Sequence, residues 1–313
     1  MEQKIVVKTD WIKFAAVMFV FILILTGLFS GHQDRRNGIS LSDLDNTVIF
    51  GDITYQEALN LLLLGFVSGA VGGMLGMGGG VLKVVNLHFF LGFNILFARI
   101  VSLISYSVIS LSAFLRYRKY NFILWDVAKM LIPSSILGVL LGVFIGNVIN
   151  KDYVEILLGI YALFAGIIVL NQIWVRPVEK EITELPENGI SETTVSGIGI
   201  GMGFICSMIG ISGGILSTPL QQTLLKLPLK NSIANSTTAA VFCSITASII
   251  LLFLGLKNGD FLFEDVLLVS ICLIPGNILG GQFGSFLTKK LPINYVRIVF
   301  AIVAFIIGYK ILV

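Results

Sequence analysis

The sequence predicts an all-α polytopic membrane protein, with a leading helix and two inverted five-segment repeats whose helices break at glycine-rich clusters. Three observations predict it. First, the 313-residue chain is 56% hydrophobic and only 12% charged, with a mean hydropathy of +0.95. A soluble domain carries roughly 25% charged residues and must present a wet exterior. Second, apolar stretches of about 20 residues, long enough to cross hydrocarbon, recur along the whole chain. Third, the second half repeats the first in register. Nothing alternates with a period of two, which argues against a barrel.

At the N-terminus, Lys4, Lys8 and Lys13 precede an apolar run over 14–29. That pattern also fits a signal peptide. Its length and the spans that follow favour an uncleaved helix over 11–30, with a polar loop to residue 56. The first repeat, 57–174, holds spans near 57–75, 97–115, 126–149 and 153–174. An acidic linker over 175–192 leads into the second repeat, 193–313, with spans near 194–211, 231–255, 264–288 and 293–312. Two shorter apolar pieces, 81–93 and 214–226, follow the glycine clusters. Each fits a tilted short helix, half of a broken helix or a re-entrant segment.

The repeat is visible residue by residue. Gly76-Met77-Gly78-Gly79-Gly80 aligns with Gly210-Ile211-Ser212-Gly213-Gly214. In the same register Gly65 meets Gly199, Gly69 meets Gly203 and Ser102 meets Ser236. Further on, Pro133 meets Pro275, Gly138 meets Gly280 and Gly142 meets Gly284. If the short pieces count as crossings, most basic residues, including Arg116, Arg118, Lys119, Lys226 and Lys230, share the side of a cytoplasmic N-terminus. The positive-inside rule requires that. Five crossings per unit turn the second copy upside down, a frequent plan of secondary transporters.

Four glycines in five positions cannot favour a continuous helix. In hydrocarbon, unwound backbone is tolerated only where protein or a water-filled cavity satisfies it. A helix that starts after such a break turns its positive end and free N–H groups toward the gap, a geometry suited to anions. Close helix packing is the alternative reason for such glycines. It is the preferred one for Gly138, Gly142 and Gly146 and for Gly276, Gly280 and Gly284, which recur every fourth residue. Pro133 and Pro275 are expected to kink their spans.

Charged residues inside spans are few, so each is informative. Lys83 follows the first cluster and Arg99 opens the next span. Each is either an anion ligand or a side chain that reaches a membrane edge. The run Asn235-Ser236-Thr237-Thr238 offers uncharged donors within a span, to an anion in the preferred reading or to neighbouring helices in the alternative; Gln221 and Gln222 are weaker candidates for the same cavity. Asp126, Glu155, Glu264 and Asp265 lie near span ends, so no carboxylate is placed as a proton relay. His88 and the cysteines Cys206, Cys243 and Cys272 read as packing residues, without a CxxC pair or metal-ligand spacing. No P-loop, HExxH or GxSxG pattern occurs. The expectations are therefore no enzyme, no cofactor, no metal and no nucleic-acid partner.

The pattern Gly65-x-x-x-Gly69-x-x-x-Gly73-x-x-Gly76-x-Gly78-Gly79-Gly80, with Gly199-x-x-x-Gly203 and Gly210-x-x-Gly213-Gly214, resembles the duplicated signature of the TauE/SafE family of sulfite exporters. The resemblance covers nearly all of the chain after the leading helix. It implies bacterial membrane transport of small sulfur-containing anions, such as sulfite or sulfoacetate. The family's proline after the cluster is kept as Pro219, whereas Val85 stands there in the first copy. A small-polar stretch resembling Ala-x-Gly-Thr-Ser is Ala98 to Ser102 in one half and Ser232 to Ser236 in the other; only the terminal serine survives in both. Lys83 and Arg99 are thereby assigned to this member's own specificity.

The expectation is a secondary transporter in the inner membrane, with its site formed by Gly78, Gly79, Gly80, Lys83, Arg99, Ser102, Gly213, Gly214, Asn235, Ser236 and Thr237. Its partners are a small anionic substrate and the lipid bilayer, and a homodimer is compatible with the plan. An anion channel and a non-transporting sensor or scaffold are the alternatives.

Overall fold

The computed structural model describes residues 48–50, 53–75, 79–149, 151–175 and 190–287, and positions 298, 301, 302, 305, 308 and 309. The leading helix expected over 11–30, most of the 175–192 linker and most of the 293–312 span lie outside the described residues. Two short strands, β1 (Val48–Phe50) and β2 (Ile53–Thr54), pair antiparallel. They lead directly into α1 (Tyr55–Leu75). The first copy continues with α2 (Gly80–Val85), a π-helical turn (Asn86–Phe90), α3 (Ile95–Lys119), α4 (Trp125–Val148) and α5 (Lys151–Val175). The second contains α6 (Glu192–Ile209), α7 (Gly214–Leu224), α8 (Leu229–Asn258) and α9 (Phe263–Leu287).

Local chemistry sets several helix ends. Asn94 begins α3 by accepting the Leu96 N–H on its side chain. Ser191 does the same for α6 with the Thr194 N–H, and Glu192 follows in the first turn. A carboxylate there faces the positive end of the helix dipole. Gly259, at φ 73, closes α8 in the left-handed region that other residues avoid.

Five of the described helices are long and apolar enough to cross a membrane: α3, α4, α6, α8 and α9. The distribution of side chains is inverted relative to a soluble protein. Phe144 and Val148 are 73% and 77% exposed, whereas Lys83 and Arg99 are 0% and 1% exposed. Apolar residues on the outside and cations within are stable only if the outside solvent is itself apolar. The chain is a multi-pass membrane protein.

The helices pair in a pattern that is unchanged when the two copies are exchanged. α1 packs on α9 and α6 on α4; α3 packs on α9 and α8 on α4; α2 packs on α3 and α7 on α8. α3 and α8, the equivalent central helices, pack on each other. They run antiparallel. Phe97, early in α3, meets Phe261, just past the end of α8. At the other end Asn231 donates to the Phe122 carbonyl at 2.9 Å, and the Asn235 side chain accepts the Leu124 N–H at 2.9 Å. Antiparallel equivalents are what an inverted duplication requires.

Direction also settles how the short pieces travel. Tyr117, near the end of α3, bonds Gly73 near the end of α1. Ser102, early in α3, bonds Gly80, whose neighbour Gly79 lies back beside Ser68 in the middle of α1. Helices α1 and α3 therefore run parallel. The break and short helix between them return the chain to the side from which α1 set out. An 11-residue helix such as α7 covers only about 16 Å at 1.5 Å per residue, so the unwound glycine segment completes the return. The same Asn231 and Asn235 bonds bring the end of α3 beside the start of α8. Arg116, Arg118 and Lys119 thus share one end of the molecule with Lys226 and Lys230.

Glycine makes the parallel pairs possible. A Cβ on Gly138, Gly142 or Gly146 would meet Ile200, Phe204 and Met208 of α6 in turn; one on Gly203 would strike the Ser135 carbonyl. On the other seam, Gly65, Gly69 and Gly73 lie directly on the backbone of α9 at Leu273, Asn277 and Gly281. Without a hydrophobic drive between helices in lipid, this close approach supplies the packing energy.

Gly203→Leu is expected to destabilise the protein by at least about 1–3 kcal/mol through overpacking. Gly197→Ala, at a position with nothing within 4 Å, should leave it unchanged or gain up to about 1 kcal/mol in helix propensity. Thermal unfolding in detergent measures both.

Candidate functional site

Both glycine clusters interrupt their helices. In the first copy α1 ends at Leu75 and α2 begins at Gly80; Gly78 lies outside the described residues. Gly79 sits at φ 58, in the left-handed region, with its Cα against the backbone of Ser68, where a Cβ would collide. In the second copy Gly210, at φ 79, ends α6 and donates its N–H to the Cys206 carbonyl. The chain then runs unwound to Gly214. Gly213 lies against the Met202 carbonyl, the counterpart of the Gly79–Ser68 contact.

The two breaks meet. A Cβ on Gly80 would lie 2.9 Å from the Ser212 nitrogen and 3.0 Å from the Ile211 Cα. Ser102 donates to the Gly80 carbonyl at 3.4 Å, and the Tyr161 hydroxyl donates to the Ser212 carbonyl at 3.4 Å. Gly79, Gly80, Ser102, Gly213 and Gly214 are thereby assembled at the contact between the copies, and all are buried.

One helix holds the ends of both broken helices. The Tyr117 hydroxyl of α3 donates to the Gly73 carbonyl in the last turn of α1, at 2.6 Å. The Arg99 guanidinium of the same helix donates to the Ser207 carbonyl in the last turn of α6, at 2.8 Å. Gly73 and Ser207 are equivalent positions. Arg99 answers an exposed last-turn carbonyl at the negative end of a helix dipole. Its aliphatic stem lies on Gly210, where a Cβ would clash. Arg99 therefore acts first as a cap for α6, and its Nε has no partner among the described residues.

The polar run in α8 is largely engaged with α7. Ser236 donates to the Ser217 hydroxyl at 3.0 Å and accepts from Gln221 at 2.8 Å and Thr218 at 3.2 Å. Asn235 donates to the Gln221 carbonyl oxygen at 3.2 Å, while its own oxygen takes the Leu124 N–H. These groups are mutually satisfied, which ties α8 to α7. Thr237 is different: its hydroxyl is buried and has no partner among the described residues, and the same holds for the Ser212 hydroxyl.

At the corresponding place in the first copy the network is absent. Lys83 stands where Ser217 stands, Val84 for Thr218 and Leu87 for Gln221. The Lys83 ammonium is fully buried, and its Nζ has no hydrogen-bond partner among the described residues. An unpaired ammonium held out of water costs several kcal/mol. Asn86, one turn on, donates to the Leu82 carbonyl at 3.0 Å and leaves its own oxygen unmet. His88 bonds the Phe93 carbonyl at 2.7 Å, which secures the end of the π-helical turn. Cys206 and Cys243 are free and lie 3.8 Å apart, between α6 and α8. No group of three potential metal ligands occurs among the described residues.

Two residues of interest escaped the sequence reading. Tyr117 looks like one aromatic among many, and only the fold brings it to α1. Asn277, in α9, is 0% exposed, and neither amide atom has a partner among the described residues. Its one sequence signal is an amide inside a span, two residues after Pro275.

The family model for sulfite exporter TauE/SafE matches residues 61–311. The "Probable membrane transporter protein MamO" of Paramagnetospirillum magneticum is 32% identical over 88% of this chain and 48% of its own length. "Probable membrane transporter protein YunE" of Bacillus subtilis is 25% identical, covering 80% of this chain and 96% of its own. The "Probable membrane transporter protein MJ0441" of Methanocaldococcus jannaschii is 22% identical over 79% of this chain and 92% of its own. The chain spans about half the length of the first relatives it matches. No solved structure matches it.

The two caps make a prediction. Tyr117→Phe should cost about 1 kcal/mol and Arg99→Met about 1.5–3 kcal/mol, since the second bond is charge-assisted. The caps lie at opposite ends of α3, so the double variant should add within about 0.5 kcal/mol. Thermal unfolding of the three variants measures this.

Proposed function

The chain belongs to the sulfite exporter TauE/SafE family, whose matched relatives are named as membrane transporters, and from that premise we propose that it is a secondary transporter exporting a small sulfur-containing anion. Sulfite and short organosulfonates such as sulfoacetate are the substrate class. The observation that carries the reading is the Lys83 ammonium: buried, unpartnered, and three residues past the point where the two breaks touch. Among the described residues, neither Lys83 nor Arg99 is bonded to a carboxylate. A cation in that position calls for an anion, and the ligand supplies it.

The remaining roles follow from which groups are unengaged. Ser212 and Thr237 add hydroxyl donors. The first-turn amides of α7, from Gly214, face the second break at the positive end of an 11-residue helix. Ser102, Asn235 and Ser236 shape the site through their bonds to protein groups, and Arg99 positions the second break. An anion among fixed donors in a low-dielectric setting keeps its oxygens satisfied without water. Antiparallel, interchangeable halves support alternating access by rocking one copy against the other. Residence in the inner membrane with a cytoplasmic N-terminus goes with this reading. It puts Arg116, Arg118, Lys119, Lys226 and Lys230 on the cytoplasmic side.

Thermal unfolding of the purified chain tests it. Sulfite and sulfoacetate at a hundredfold over Kd should stabilise by about 2.7 kcal/mol, which raises Tm by several degrees. Acetate should do much less. Lys83→Gln should abolish the shift, and Lys83→Arg should retain part of it. An equal shift with acetate, or an undiminished one in Lys83→Gln, overturns the assignment. In proteoliposomes a carrier saturates and supports counterflow; unsaturable flux without counterflow would show a channel instead.

A further inference from the structure

We propose that Asn277 is a substrate-binding residue, and that with Ser105 it selects a sulfonate bearing a hydrogen-bond donor, a hydroxyl or amine, over one that only accepts. The inference rests on the transport reading above and narrows its substrate class.

The Asn277 side chain is 0% exposed, and neither its Nδ2 nor its Oδ1 has a partner among the described residues. A primary amide left unmet in a dry interior loses two donors and an acceptor, at about 1–3 kcal/mol for each unsatisfied group. Its equivalent in the first copy, Ser135, has no such deficit, because its hydroxyl donates to the Ile132 carbonyl at 2.7 Å. The unmet amide thus belongs to one copy only, as Lys83 does.

The fold places this amide at the level of the first break. On α1, Gly69 lies on the Asn277 carbonyl, while the adjacent Ser68 lies on Gly79. The direction of the side chain follows from helical spacing. Gly281, one turn further along α9, would direct a Cβ at Ser112 and Ile109 of α3. Residues four apart share a helix face, so Asn277 also faces α3. α9 runs parallel to α1 and therefore to α3, so one turn back from Ile109 is Ser105. Ser105 is itself fully buried, and its hydroxyl has no partner among the described residues. Ser105 is one turn beyond Ser102, which bonds Gly80. Lys83 lies one turn past Gly80 in α2, and its side chain leans back toward the start of that helix, where the break is. Asn277 and Ser105 thus extend the anion site from Lys83 toward α9.

The chemistry of the unmet groups defines the ligand. Lys83 Nζ donates to anionic oxygens, and Asn277 Nδ2 can donate to them too; the Ser105 hydroxyl can donate to, or accept from, a hydroxyl or amine at the ligand's other end. The Asn277 Oδ1 can only accept, and so can the unmet Oδ1 of Asn86. A ligand made of acceptors alone leaves both unanswered. A sulfonate with a terminal hydroxyl or amine answers one of them. A site built to bond such a group binds the analogue that lacks it, sulfoacetate included, more weakly, because its own polar atoms are then left unpaired.

The experiment compares 2-hydroxyethanesulfonate with ethanesulfonate, equal in charge, for binding to the full chain in detergent by calorimetry. The wild type should bind the hydroxylated sulfonate at least about fivefold tighter. Asn277→Leu should erase that preference by weakening the hydroxylated sulfonate more than ethanesulfonate. Ser105→Ala should reduce the preference in the same direction, and it decides the matter if Asn277→Leu fails to fold. Equal affinity of the wild type for the two sulfonates overturns the inference while the transport reading stands. So does a preference that survives in a folded Asn277→Leu, or in Ser105→Ala alone if Asn277→Leu does not fold. Failure of both sulfonates, sulfite and sulfoacetate to bind overturns the transport reading and this one with it.

Discussion

Backbone that leaves the helix inside hydrocarbon must find its hydrogen bonds within the protein. Two segments of this chain do leave it, and much of the described structure answers that demand. Gly79 and Gly213 fold back onto the middle of the preceding helix because neither has a Cβ to prevent it. The carbonyls exposed at the ends of α1 and α6 are met by Tyr117 and Arg99, both from α3. The breaks then close on each other at Gly80 and Ser212. Close seams between parallel helices, lined by glycine, hold the frame around them.

Within this symmetric frame the two copies are chemically unequal. In the second copy, Ser217, Thr218, Gln221, Asn235 and Ser236 form a neutral network that satisfies itself. In the first, aliphatic residues replace part of that network and one lysine replaces Ser217. Among the described residues, the first copy therefore holds a lysine nitrogen with no partner, whereas the second holds a mutually bonded network.

Much of the architecture was legible in the sequence. The described helices α1, α3, α4, α5, α6, α8 and α9 fall within a few residues of the hydrophobic runs, because length and hydropathy are local properties in lipid. The breaks were legible because glycine clusters at equivalent positions of both copies disfavour a continuous helix. The seam of Gly138, Gly142 and Gly146 was legible because its spacing matches a helix face. The individual duties of the polar residues were not. Arg99 looked like a free cation at a span edge, and it caps α6. Asn235 and Ser236 fitted either an anion or neighbouring helices, and only the fold shows them tied to α7 and to the α3–α4 loop. Tyr117 and Asn277 carried almost no local signal, since each depends on a helix far away in the chain.

The sequence by itself determined that this chain lives in lipid, crosses it repeatedly in helices, duplicates its plan and breaks that plan at two equivalent points. Composition, length and spacing carry those facts, and the solvent enforces them residue by residue. Only the tertiary structure decided which buried polar atoms are satisfied and which, among the described residues, have no partner. Hydrogen-bond partners come from helices more than a hundred residues apart, as Arg99 and Ser207 show. Satisfaction is therefore a property of the assembled interior that no stretch of the chain holds alone.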